Sequence, residues 1–171
     1  YALKGCSSLA AISLPDTIEV LGRYCLSQTA LVSVDLPDLL TEIPEYLFYF
    51  CEKLTSVNIP EGITKIGQYA FYTCKGLSEV CLPDGITEIE KEAFESCRSL
   101  TSIEIPPSVI SVGVGAFRAC VNLESVHISD LTAWMKIEFS ELTSNPLHNG
   151  AMLCMNQQPV TELVIPQGIT S

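Results

Sequence analysis

Positive charge is scarce in this chain. Its 171 residues hold nine Lys and Arg against twenty Asp and Glu, a formal net charge of −11. A nucleic-acid binder needs a basic face to displace condensed counterions, so that class is excluded. Charge of either sign is low, at 17% against about 25% in an average domain. Long apolar runs are missing: the longest, Tyr46 to Cys51, has six residues, where a membrane helix needs about 18. No basic-then-apolar leader opens the chain, so no signal peptide is visible. There are two His and no C-x-x-C pair, so neither a metal nor another cofactor is expected. Phosphate loops, nucleophile elbows, zinc-protease helices and dinucleotide fingerprints are absent, which leaves no catalytic residues to nominate. Eight cysteines fall below the ~8–10% of a disulfide scaffold.

What the chain does have is self-similarity. YAFYTCKGL (69–77) matches YALKGCSSL (1–9), and LTSVNIPEGITKIG (54–67) matches LSEVCLPDGITEIE (77–90) and LTSIEIPPSVISVG (100–113). The period is 23 residues: Leu54, Leu77, Leu100 and Leu123 follow it, as do Phe48, Phe71, Phe94 and Phe117, and Cys51, Cys74, Cys97 and Cys120. Pro15, Pro37, Pro60, Pro83 and Pro106 follow at 22 or 23, the shorter step arising in the second unit. A fixed period of about 20–29 with repeated Leu and Ile marks a leucine-rich-repeat solenoid. Stacked coils bury as one core the apolar positions that a single coil leaves exposed. The fold class is therefore α/β, with 23-residue coils, a parallel β ladder on a concave face, and short helical turns or extended segments elsewhere.

The S-V-N-I stretch (56–59) alternates polar and apolar, as a half-buried strand does. Seven such strands, ending at Glu162–Ile165, would stack over roughly 30 Å. EKEAFESC (90–97) predicts a short helical turn with Phe94 and Cys97 facing inward. The I-T-K-I-G stretch (63–67) fits either a second short strand or an extended edge.

The units resemble the BspA-like, Treponema-type leucine-rich repeats of bacterial cell-surface proteins. The resemblance covers 1–128 and 162–171. The intervening segment is similar to an insert common in that family, through ISDLTAWMKIEF, SNPL and the return to VTELVIP. It implies an extracellular or cell-surface location and adhesion to host or bacterial partners.

The rhythm breaks after Ile128, which divides the chain into repeats (1–128), an insert (129–161) and the start of a further repeat (162–171). In the insert, Ser129 or Asp130 caps a helix start, and Leu131, Trp134 and Met135 share one face. Residues 151–155 and 160–165 read as a hairpin. The insert either plugs the coil or, through Trp134, carries specificity. Both ends cut mid-coil, so a fragment of a longer array is expected, with open edges suited to end-to-end self-association.

Strand alternation predicts two outward ladders. One is Ala11, Ser33, Ser56, Glu79, Ser102, Ser125 and Glu162; the other is Ser13, Asp35, Asn58, Cys81, Glu104, His127 and Val164. Ser33 to His127 of these are the candidate ligand-binding residues. His127 beside Glu104 is expected to form an ion pair. Cys81 and His127 sit two coils apart, too far for a nucleophile and its base. The five cysteines at the repeat position, Cys6, Cys51, Cys74, Cys97 and Cys120, read as buried free thiols. The expected function is non-catalytic recognition of a protein or glycan, with a ligand-free structural spacer as the alternative.

Overall fold

A computed structural model describes residues 1–162. From the second coil on, each coil contributes one strand to each of two ladders. The first ladder holds β1 (Ser33–Asp35), β3 (Ser56–Asn58), β5 (Glu79–Val80), β7 (Ser102–Glu104), β9 (Ser125–Ile128) and β11 (Met152–Met155). The second holds β2 (Glu42–Ile43), β4 (Lys65–Ile66), β6 (Glu88–Ile89), β8 (Ser111–Val112) and β10 (Glu138–Phe139). All these pairings are parallel, and equivalent residues are 23 apart through β8 and β9. The I-T-K-I-G stretch is thus a second strand. The expected strand at Ala11–Ser13 is absent: that segment of the first coil forms no strand, although Val32 N donates to Ala10 O beside it (3.2 Å).

A third ladder replaces the expected helical turns. In each coil two residues four apart take left-handed backbone: Tyr46 and Phe50, Tyr69 and Thr73, Glu92 and Ser96, Gly115 and Ala119. No α-helix continues through such residues. Their N–H groups, and that of the residue midway between them, cross to the next coil instead: Tyr69 to the Lys91 carbonyl (3.0 Å), Phe71 to Ala93 (2.8 Å) and Thr73 to Glu95 (2.8 Å). Phe94 and Cys97 still face inward, both fully buried.

The core runs along the stack axis. Phe48, Phe71, Phe94 and Phe117 stack with centroids 5.3, 5.0 and 5.5 Å apart. Beside them each ladder thiol donates to a carbonyl one coil back: Cys74 to Phe48 (3.1 Å), Cys97 to Phe71 (3.2 Å) and Cys120 to Phe94 (3.1 Å). Cysteine fits because the site is apolar, small and offers one acceptor. All eight cysteines are free; Cys6, expected to be buried like its repeat equivalents, is exposed in the first coil.

Beyond β9 the ladders continue. β10 pairs with β8, and β11 with β9, each partner 27 residues on. The extra residues lie before β10 and form α1 (Leu131–Trp134), capped by the Asp130 carboxylate at 2.7 Å from Thr132 N and 3.1 Å from Ala133 N. Phe139 to Leu153 then spans the same 14 residues as Val112 to Val126. The strand next to β9 is therefore β11, not the expected Glu162–Ile165, of which 163–165 lie outside the described residues. β11 turns through left-handed Asn156 and Gln157 into antiparallel β12 (Gln158–Pro159), a two-residue hairpin turn of the type that suits twisted strands.

Candidate functional site

Alternation in the first-ladder strands decides which side chains reach solvent. Val34, Val57, Val80, Ile103 and Val126 point inward and are buried. Ser33, Asp35, Asn58, Glu79, Cys81, Ser102 and Glu104 are exposed; Ser56, Ser125 and His127 are half-buried. Parallel register aligns them in two rows. After Ser125 and His127 the rows continue with Met152 and Cys154. The sequence hid this step, because β11 lacks the repeat motif; the 14-residue spacing from Phe139 was the available signal.

The face is not uniform. Thr55 N donates to Val32 O (2.8 Å), Ser78 N to Thr55 O (3.1 Å) and Glu124 N to Thr101 O (2.8 Å). The equivalent bond from Thr101 to Ser78 is missing, and β5 and β7 belong to separate hydrogen-bonded sheets. At this seam lies a shallow open recess of about 300 Å3, lined by Glu79, Cys81, Ser102, Glu104, His127 and, from the hairpin turn, Gln157.

His127 makes no ion pair with Glu104, its register neighbour, contrary to expectation. Its Nε2 lies 3.0 Å from Ser125 Oγ, and its buried Nδ1 has no partner. The short serine two residues along the same strand is within reach of the ring. Cys81 and His127 both line the recess, but β7 stands between their strands. No group of three or more His, Cys, Asp or Glu among the described residues is arranged to hold a metal ion.

Trp134 is elsewhere. Its ring is buried (9% exposed) and packs edge-on against Phe139 at 5.3 Å. It joins the core of the added coil and offers no surface.

A second feature went unread in the sequence, although its period is plain in hindsight. Tyr1, Tyr24, Tyr46 and Tyr69 stack at 5.4, 4.2 and 4.7 Å along the turn ladder, beside Tyr49 and Tyr72 at 5.1 Å. Burial within this stack, with Tyr24 beside it, pushes the Tyr46 phenol up to about 12. The next coil replaces the rings with charge: Arg118 lies 2.6 Å from Glu95 and 3.5 Å from Glu92. Burial holds the Glu95 carboxyl above its usual range despite that guanidinium.

Comparison with known proteins follows the same geometry. A family model described as BspA type leucine rich repeat region matches six copies over residues 1–97 and 41–146. No curated protein matches. Among solved structures, a leucine-rich repeat protein of Treponema pallidum is 31% identical, with a TM-score of 0.63, over 71% of this chain and 59% of that one. A leucine-rich repeat protein from Bacteroides ovatus is 25% identical, with a TM-score of 0.53, over 74% and 47%. A leucine-rich cell surface protein from Faecalibacterium prausnitzii is 28% identical, with a TM-score of 0.55, over 75% and 39%. The chain thus spans less than two thirds of the length of these relatives.

Proposed function

The chain belongs to the BspA type leucine-rich repeat proteins, and from that premise we propose that it is a non-catalytic recognition module that binds a macromolecule through the outward face of the first ladder. One observation carries this reading. Coil after coil presents exposed polar side chains at fixed register, and no described segment covers the central rows. Strands hydrogen-bonded to their neighbours lose little entropy when they meet a partner, so many weak contacts sum without an ordering cost. The matching cell surface protein supports placement on a bacterial surface; an adhesive role there belongs to the proposal. No helix of the described residues is long and apolar enough to cross a membrane.

The test is a binding screen against matrix proteins, bacterial surface proteins and glycans. It compares wild type with Glu79→Lys/Glu104→Lys, with folding checked by circular dichroism. Binding lost in the folded variant supports the face. Binding retained moves recognition to the 129–161 segment, and no binding by either favours a spacer.

A further inference from the structure

Charge is segregated around the coil. The stretches 33–38, 56–61, 79–84, 102–107 and 125–130 run from each first-ladder strand through the turn after it, and contain no Lys or Arg. They contain Asp35, Asp38, Glu61, Glu79, Asp84, Glu104 and Asp130, all exposed. None of these carboxylates takes part in an ion pair among the described residues. The paired acids are Glu45, Glu52, Glu88, Glu90, Glu92 and Glu95, all outside these stretches. The chain's scarce cations are therefore spent on the other faces.

Successive coils are ~4.8 Å apart, inside the ~8 Å screening length at physiological salt. Like charges at that spacing repel one another, and a rigid surface of one sign focuses its field outward. At the seam between β5 and β7 the surface also offers acceptors: Glu79 and Glu104 at the recess, the Gln157 side chain, and the Ser78 carbonyl left without the Thr101 N–H. Outward strand positions from Ser33 to His127 carry no Phe, Tyr or Trp, so a sugar finds none of the large ring faces that usually stack against it there.

Resting on the proposal that this face is the recognition surface, we propose that its partner is a basic protein segment, with a Lys or Arg side chain entering the recess between Glu79 and Glu104 and further cations along the row. The cationic head brings donors to a site rich in acceptors, and charge-assisted bonds are the stronger ones. Approach is steered by the whole row, so association is fast at low salt and falls as salt rises.

The test uses a fluorescent peptide of alternating Lys and Ser, its Glu-Ser counterpart, and three proteins. These are wild type, Glu79→Gln/Glu104→Gln, and Glu42→Gln/Glu138→Gln, which makes the same charge change at exposed second-ladder positions. Fluorescence anisotropy is read at low and physiological salt, and folding by thermal melting. The expected result is binding of the basic peptide alone, weakened about tenfold by the first pair and less than twofold by the second, with affinity falling as salt rises. Equal weakening by both pairs, or no binding to wild type, overturns the inference. If the first pair does not fold, Asp35→Asn/Asp84→Asn takes its place. A neutral ligand found in the screen, and lost from the folded charge-reversed protein, would keep the recognition face while overturning its basic partner.

Discussion

The cysteine ladder shows what one residue type contributes. Each thiol fills a position with no exposure and donates to a carbonyl one coil back. Burial raises Cys25 and Cys51, raises Cys74 and Cys97 well above the usual range, and pushes Cys120 up to about 12. In the unfolded chain these thiols ionise near about 8.5–9. Above that pH the folded protein keeps protons that the unfolded chain releases, so stability is full below about 9 and falls as pH rises, by ~1.4 kcal/mol per unit for each such thiol. Denaturant midpoints from pH 7 to 10 should decline accordingly. A flat profile would mean that the thiols are not held neutral. In the same experiment a thiol reagent should modify only Cys6 and Cys81, both exposed, until the protein unfolds. The cysteine and phenylalanine ladders were legible in the sequence because burial repeats with the period. Trp134 was not: a single tryptophan in a non-repeating segment gives no phase from which to tell a core ring from a surface one.

Among the elements, the coils approach most closely beside the second ladder. A Cβ on Gly113 would lie 2.5 Å from Lys91 N and 2.8 Å from Glu90 C, and one on Gly67 2.7 Å from Glu45 N and Ile43 O. These are backbone atoms in segments held by bonds between coils, such as Gly67 N to Ile43 O (2.8 Å) and Glu90 N to Ile66 O (2.9 Å), so they cannot step aside as a side chain would. Gly113→Ala should cost about 2 kcal/mol, within the range for overpacking, as read by chemical denaturation; no loss would mean that the coils are looser than described. Strand positions were readable because alternation and period agree. The turn ladder was not, since EKEAFESC carries helix-forming residues whose preference loses to bonds with the next coil. The coil after β9 was obscured in a different way. Four added residues shift its phase, and Ser144 stands where earlier coils place phenylalanine.

At the scale of the whole molecule, the repeat sets which side chains share a face, and composition sets what that face attracts. The outward rows could be written down from the sequence, whereas the seam and its recess could not. They depend on ladder bonds that are missing between β5 and β7, in coils whose sequences look as regular as the rest. The acidity of the face was legible in the sequence, since its stretches hold no Lys or Arg; that its carboxylates stay unpaired among the described residues was not, because it depends on which acids the cations reach. The central claim is that recognition occurs on the first-ladder face, and the most direct measurement is amide shift mapping of isotope-labelled protein with a ligand from the screen. The account predicts perturbations concentrated at 79–81, 102–104 and 125–128. Perturbations confined to 131–149, or to the second ladder at 65–66, 88–89 and 111–112, would contradict it.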